Sequence, residues 1–165
     1  MKRFYKDAAA TRDKRGWIVG LDGRPLNTPK RRPLVLPTEV MAEAVAAEWD
    51  EQGEIIDPVS MPLTGIANAA IDHVGGDRAG FADGIAAYGE SDLLCYRADT
   101  PDSLVERQCQ LWDPLLDWAT KRYDLAFELV DGIMHVPQPE PTLARLRAAL
   151  DAHDDFALAA AQPIV

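Results

Sequence analysis

The chain has 165 residues, of which 47% are hydrophobic and 27% are charged, and this composition is typical of a globular protein with a substantial core. Seventeen Lys and Arg residues against 27 Asp and Glu residues give a formal net charge of −10. Such a surface repels nucleic-acid phosphates and anionic lipids, so we expect no binding to nucleic acid or to membranes.

The first 38 residues have the pattern of short β-strands. A strand is predicted at Arg3–Lys6, and alternating apolar residues around Asp22-Gly23 predict a hairpin, because this dipeptide favours tight two-residue turns. A third short strand lies between prolines at Pro33–Thr38. The basic run Lys30–Arg32 between these strands is expected to be a solvated loop.

The apolar period then changes from two to about four, which indicates a helix. Thr38 is the predicted N-cap, Met41, Val45 and Trp49 share one face, and Gly53 is the predicted end. We interpret Trp49 as a core residue of this helix. An extended connector with two prolines follows, up to Pro62.

After Pro62 the pattern is almost entirely helical. Thr64 is the predicted N-cap of the first of these helices, and Asp113-Pro114 is the predicted start of a later one. A further helix is marked by leucines around Leu146, and another is predicted to start at Asp155. The fold class is therefore α+β, with a small β-rich domain at residues 1–62 and an α-helical domain at residues 63–165.

Catalytic and metal-binding motifs are poorly represented. Ser91 lies in a sequence that resembles a nucleophile elbow, but Leu93 replaces the second glycine of that motif. The three histidines are scattered, and Cys95 and Cys109 form no metal-binding or redox motif. No glycine-rich loop has the spacing of a nucleotide site. We therefore expect no catalytic residues, no cofactor and no metal, and the cysteine usage favours a reducing bacterial cytoplasm.

The densest group of polar residues lies between Ala47 and Thr64. Five carboxylates are present here, and the sequence leaves open whether two of them form an acid–base pair or whether all of them solvate a helix end and a loop. They are Glu48, Asp50, Glu51, Glu54 and Asp57.

Several segments together resemble one known family. In chain order they are "RFYK", "LDGRPLNTP", "LPT", "AEWDEQGEIIDPVSMPLTGIANAAID", "SDLLCYRA" and "LWDPLLDW". They are similar to the signature of the F-type ATP synthase assembly chaperones specific for the α subunit, which occur in mitochondria and in α-proteobacteria. The resemblance covers nearly the whole chain.

The resemblance implies a function that composition does not reveal. Members of this family are not enzymes; they bind the free ATP synthase α subunit, shield the surface that later contacts β, and release α when the catalytic head assembles. Their fold is a β-rich domain followed by an orthogonal helical bundle. Members continue through further helices, so we expect the helical domain to be shortened at its C-terminal end and the last residues, from Phe156 onward, to lack helical partners.

The "EWDEQ…IDP…MPLT" block then acts mainly as a fold-defining motif with some contacts to the client protein. Its residues are Trp49, Asp50, Asp57, Pro58, Met61, Pro62, Leu63 and Thr64. Prolines restrict their own backbone and that of the preceding residue, so this connector is stiff. Two alternatives remain: a small hydrolase that uses carboxylates or Ser91, and a general anti-aggregation holdase.

Overall fold

The computed structural model describes residues 1–164. These form two compact units: Met1–Arg78 together with Asp155–Ile164, and Ala79–Asp154. A small sheet comes first in the chain and is followed by helices, which confirms the α+β class. The domain boundary predicted between residues 62 and 63 stays a prediction. Val165, the last residue of the predicted helical domain, lies outside the described residues.

The sheet of the first unit has four strands, with β2 at its centre. They are β1 (Ala8–Asp13), β2 (Gly16–Leu21), β3 (Arg24–Pro25) and β4 (Val35–Leu36). β2 is antiparallel to the other three, pairing with β1 over its full length and with β3 and β4 at opposite ends.

The predicted hairpin is confirmed, since Asp22 and Gly23 have φ values of 47° and 77° between β2 and β3. The third predicted strand is also confirmed, in the shorter form β4. The strand predicted at Arg3–Lys6 is wrong. None of these residues is in a strand, and the neighbouring Lys2 forms only an isolated bridge with Ile55.

Helix α1 (Glu39–Asp50) packs on this sheet. Thr38 is its N-cap as predicted, because its hydroxyl accepts a hydrogen bond of 3.2 Å from the Met41 N–H. Val45 is fully buried in a cluster with residues of β2 and β4. The helix ends at Asp50, three residues before the glycine that was expected to stop it.

Helix α2 (Pro62–Ala69) continues into a π-helical turn at Ala70–Val74. Thr64 is not its N-cap, so that prediction is wrong: the helix already starts at Pro62, and Thr64 is a buried residue within it. Helix α6 (Asp155–Ala161) starts where predicted and packs against α2 and the π-helical turn. Leu158 is fully buried there, so the expectation that this segment lacks helical partners is wrong for the described residues.

The second unit contains most of α3 (Arg78–Ala86), α4 (Asp102–Tyr123) and α5 (Glu140–Asp151). Two short strands, β5 (Tyr96–Arg97) and β6 (Val130–Asp131), pair in parallel. A new helix does not start at Pro114, because α4 runs through it without a break. Asp113 forms an ion pair with Arg97 at 2.8 Å instead of capping a helix.

Candidate interaction site

The predicted motif forms the join between α1 and α2 and is fixed by the start of the chain. The Arg3 N–H donates to the Glu54 carbonyl at 2.9 Å, and the Ile56 N–H donates to the Met1 carbonyl at 2.8 Å. Ile56 is buried, whereas its neighbour Ile55 faces solvent. The connector is therefore held in an extended form by backbone pairing as well as by its prolines.

Glu48 links the end of α1 to the start of α2. Its carboxylate accepts hydrogen bonds from the Leu63 N–H at 2.6 Å and from both the N–H and the hydroxyl of Thr64 at 2.7 Å. The first N–H groups of a helix have no partner within the helix and carry partial positive charge. Glu48 satisfies two of them and supplies the cap that Met61, the N-cap residue of α2, does not provide.

Gln52 holds the loop between the two helices. Its side-chain oxygen accepts from the Asp57 N–H at 2.7 Å, and its side-chain nitrogen donates to the Glu48 carbonyl at 3.0 Å and the Ser60 hydroxyl at 2.9 Å. The residue is buried, so these bonds satisfy an amide that would otherwise lose its solvation.

The C-terminal end of α1 is closed by residues near the N-terminus. The Arg3 guanidinium donates to the Asp50 carbonyl at 2.8 Å and to the Gln52 carbonyl at 2.5 Å, and it pairs with the Asp50 carboxylate at 3.2 Å. A cation at this position complements the negative end of the helix dipole. The Tyr5 hydroxyl donates to the Trp49 carbonyl at 2.5 Å, so the carbonyls of the last two residues of α1, Trp49 and Asp50, are bound from outside the helix.

Trp49 lies between two apolar clusters of the first unit. One is the cluster under the sheet that contains Val45; the other contains Tyr5, Leu21, Ile56 and Met61. The rings of Tyr5 and Trp49 meet edge to face, with centroids 5.8 Å apart. The tryptophan is half-buried, so the structure places it as a packing residue that bridges helix, sheet and connector.

The proline residues of the motif each start a helical turn. Asp57 caps the short 3-10 turn Pro58–Ser60, its carboxylate accepting from the Val59 N–H at 3.0 Å. Pro62 is the first residue of α2, where its missing N–H costs no hydrogen bond. Met61 between them is buried.

The carboxylates of the motif are engaged separately. Glu48 bonds to the start of α2, Asp50 to Arg3, and Asp57 to its own turn. Among the described residues these three carboxylates have no hydrogen-bonding partner in common, so they are not arranged as an acid–base pair. Within residues 1–164, no three His, Cys, Asp or Glu side chains are placed to hold a metal ion. No helix in that range is long and apolar enough to span a bilayer.

Sequence reasoning did not identify Arg3, Tyr5 and Gln52 as parts of this site. The segment "RFYK" was predicted to be a strand and contributed to the family resemblance, but its contacts join residues about 45 positions apart and leave no local signal. Gln52 lies in the "EWDEQ" string, but nothing in the local pattern distinguishes a buried glutamine from an exposed one. Glu48 was considered only as one of five carboxylates.

The same region exposes apolar side chains. Val59 is 88% exposed at the tip of the 3-10 turn, and Ile55 and Phe4 are more than 60% exposed. Leu63, in the first turn of α2, is less exposed, at 37%. We call these four residues the connector surface. Three of them lie on the connector or in the first turn of α2, and the backbone bond from Arg3 to Glu54 brings the segment of Phe4 beside the connector. Groups of exposed apolar residues are typical of protein interaction sites.

A second polar cluster ties the basic loop to the π-helical turn. The buried Asp72 carboxylate accepts from the Thr28 hydroxyl at 2.7 Å and from the Lys30 N–H at 3.0 Å. The Lys30 ammonium donates to the Asp72 carbonyl at 3.0 Å, and the Arg32 guanidinium donates to the Ile71 carbonyl at 2.8 Å. The run Lys30–Arg32 is an exposed loop, as expected, and the side chains of Lys30 and Arg32 are in addition bound to the π-helical turn.

Known proteins resemble this chain over nearly all of it. A family model described as ATP12 chaperone protein matches residues 2–120. Protein atp12, mitochondrial, of Schizosaccharomyces pombe is 25% identical over 171 residues, which cover 96% of this chain and 59% of the relative. A mutant of Atp12p from Paracoccus denitrificans is 43% identical with a TM-score of 0.90, covering 98% of this chain and 69% of that one. A candidate chaperone from Agrobacterium tumefaciens is also 43% identical, with a TM-score of 0.90 and coverage of 96% and 60%.

Fold and site together define a two-part α+β protein in which hydrogen bonds of Glu48 and Gln52 join α1 to α2, beside exposed apolar side chains. The family match extends over 119 of the 165 residues, from 2 to 120. The chain therefore belongs to the ATP12 chaperone family. It spans 59% of the length of the fission yeast relative.

Proposed function

We propose that this chain is an assembly chaperone of F-type ATP synthase that binds the free α subunit. In this role it covers the surface of α that later contacts β, and it releases α as the catalytic head forms. The observation that carries the proposal is family membership, supported by a structural match at 43% identity over 98% of the chain. We place the protein in the bacterial cytoplasm, in line with its bacterial structural relatives.

A chaperone needs no chemistry of its own, and the bonding of the motif agrees with that. Glu48, Asp50 and Asp57 each bond at the end of a helix or turn, so none of these carboxylates is positioned to transfer a proton. We infer that the protein is not an enzyme and needs no cofactor or metal.

Within the predicted motif we divide the residues by exposure. Trp49, Met61 and Thr64 are buried or half-buried and maintain the fold, whereas Leu63 and the rest of the connector surface are free to contact the client. Asp50, Asp57, Pro58 and Pro62 hold the connector in its shape. The α subunit would then bind against a rigid, partly apolar segment, which limits the entropy lost on binding.

Binding to purified subunits tests the proposal. The immobilised chain should retain the free α subunit and neither the β subunit nor an unrelated aggregation-prone protein. Retention of all three would favour a general holdase, and retention of none would contradict the proposal.

Single substitutions then test the connector surface. Val59→Asp should weaken binding to α at least tenfold without lowering the melting temperature, because Val59 makes few contacts of its own. Val40→Asp is the matched control, since Val40 is 75% exposed at the start of α1. Equal loss of binding in both variants would show that the connector surface has no special role.

A further inference from the structure

Arg3 uses all three nitrogens of its guanidinium in hydrogen bonds. Nε donates to the Tyr5 carbonyl at 3.2 Å, and Nη1 donates to the carbonyls of Asp50 and Gln52 at 2.8 and 2.5 Å. Nη2 donates to the Lys6 carbonyl at 3.0 Å and to the Asp50 carboxylate at 3.2 Å. A guanidinium is a rigid planar fork, so acceptors on all of its nitrogens fix its orientation. Arg3 is therefore a fixed point of the first unit.

These bonds join two segments that are distant in sequence. Two of the acceptors are carbonyls of the N-terminal segment, just after Arg3. The carbonyls of Asp50 and Gln52 lie 47 and 49 positions away, at the end of α1 and the start of the connector. The Arg3 backbone N–H adds a bond of 2.9 Å to the Glu54 carbonyl. One residue thus sets the position of the N-terminal segment relative to the connector.

Phe4 lies within this network with its ring exposed. The Arg3 guanidinium returns to the carbonyls of Tyr5 and Lys6, and so it closes a turn around Phe4. Tyr5 on the other side is buried, with its hydroxyl bound to the Trp49 carbonyl. The Phe4 ring meets the Tyr5 ring edge to face, with centroids 5.3 Å apart, yet Phe4 is 64% exposed. The structure therefore presents an aromatic ring on a rigid base.

A rigid exposed aromatic residue suits binding to a protein. Aromatic side chains are enriched in protein interfaces, and a residue that is fixed before binding loses less conformational entropy on binding. Phe4 also adjoins the connector, because the nearby Lys2 forms a β-bridge with Ile55. The ring is thus continuous with the other residues of the connector surface, and its position among them depends on Arg3.

We propose that Arg3 is a positioning residue for client binding. It fixes Phe4 beside the connector, and Phe4 is the anchor that enters an apolar pocket of the α subunit. Arg3 itself does not contact the client, since its guanidinium is already bound within the chain. The inference rests on the proposed function for the identity of the client. It adds which residue of the connector surface anchors the client and which residue holds that anchor in place.

Binding of the free α subunit to variants of the full chain tests the proposal. Phe4→Ala and Arg3→Ala should each weaken binding at least tenfold. Arg15→Ala is the matched control and should leave the affinity unchanged. It removes the same charge, but the exposed Arg15 follows β1 and pairs with Asp13 at 3.3 Å, at the opposite end of that strand from Phe4.

Arg3→Lys separates the geometry of Arg3 from its charge. Lysine keeps the positive charge, but its ammonium is a single point with three donors and does not reproduce the planar fork. Arg3→Lys should therefore weaken binding about as much as Arg3→Ala, and it provides the test if Arg3→Ala does not fold by circular dichroism. Wild-type affinity in Arg3→Lys would show that Arg3 acts by charge and would overturn the proposal.

The double variant distinguishes positioning from general stabilisation. Without the Phe4 ring there is no anchor to position, so Arg3→Ala combined with Phe4→Ala should bind like Phe4→Ala alone. A further tenfold loss would mean that Arg3 only supports the fold. Relaxation of ¹⁵N-labelled chain gives a readout without the client: the order parameter of the Phe4 amide should fall from about 0.85 to below about 0.6 in Arg3→Ala. An unchanged order parameter would also overturn the proposal.

A photo-cross-linker identifies what contacts position 4. With p-benzoylphenylalanine in place of Phe4, the main product formed in the presence of the α subunit should be a cross-link to α. A main product within the chain, or between two copies of it, would overturn the proposal. If the wild type does not bind α, the proposed function fails and this inference fails with it. If the wild type binds α and the Arg3 variants bind equally well, only this inference fails.

Discussion

The Glu48 carboxylate accepts two hydrogen bonds of 2.7 Å from Thr64, one from the Thr64 backbone N–H and one from the Thr64 hydroxyl. The last turn of α1 thus provides the N-terminal cap of α2, and the connector between them is closed into a loop of fixed geometry. Two elements that are separate in sequence become one structural piece through a single carboxylate.

Glu48→Ala should lower the free energy of unfolding by about 1–2 kcal/mol, since it leaves the N–H groups of Leu63 and Thr64 without their cap. Urea unfolding followed by circular dichroism measures the change. Glu43→Ala is the control, because Glu43 is an exposed residue of the same helix and should change stability by less than about 0.5 kcal/mol. Equal effects in the two variants would contradict the role assigned to Glu48.

Trp49→Ala should be more damaging, because two apolar clusters lose the residue that joins them. Burial of an aromatic side chain contributes about 3–5 kcal/mol, and the half-exposed position of Trp49 favours the lower end of that range. Trp49→Phe should lose less, since the indole N–H is buried without an acceptor among the described residues. If Trp49→Ala melts like the wild type but no longer binds the α subunit, Trp49 is a contact residue and not a packing residue.

The sequence was sufficient for elements with strong local signals. Asp22-Gly23 predicts its hairpin because few other dipeptides adopt positive φ at both positions, and Thr38 predicts its cap because the hydroxyl needs only the next turn of backbone. Both signals lie within a few residues, so no knowledge of the tertiary structure is required.

Elements that depend on distant contacts were predicted less well. Thr64 has the sequence of an N-cap, but Glu48, sixteen residues earlier, takes that role. Asp113-Pro114 has the sequence of a helix start, but Asp113 is bound to Arg97 and the buried face of α4 continues past the proline. For the candidate site, the exposed connector was predictable from its prolines, while Arg3, Tyr5 and Gln52 were found only from contacts between distant residues.

Asp72→Asn should destabilise the protein in a pH-dependent way. Burial raises the pKa of Asp72, but the hydrogen bonds from Thr28 and Lys30 and the nearby cations outweigh it, so its pKa lies below the ordinary value. A carboxylate with a lowered pKa contributes stability above its unfolded pKa, and this contribution is lost as the pH falls through the folded pKa.

The stability difference between wild type and Asp72→Asn should therefore be largest near neutral pH and shrink below about pH 4, the ordinary range of aspartate. Thermal unfolding at a series of pH values measures it. A difference that stays constant from pH 7 to pH 3 would show that Asp72 acts only through its shape and neutral hydrogen bonds.

Pro114→Ala should stabilise the protein. Pro114 is exposed within the continuous helix α4, where a proline lacks the N–H that would donate to the Gln110 carbonyl. An interior proline costs about 3 kcal/mol relative to alanine. The greater freedom of the unfolded chain in the variant offsets about 0.4–1 kcal/mol, so a gain of about 2–3 kcal/mol is expected. Pro141→Ala is the control, because Pro141 is in the first turn of α5, where its missing N–H has no helical acceptor. Urea unfolding of both variants measures the effect, and a loss of stability in Pro114→Ala would mean that α4 depends on the local geometry that proline imposes.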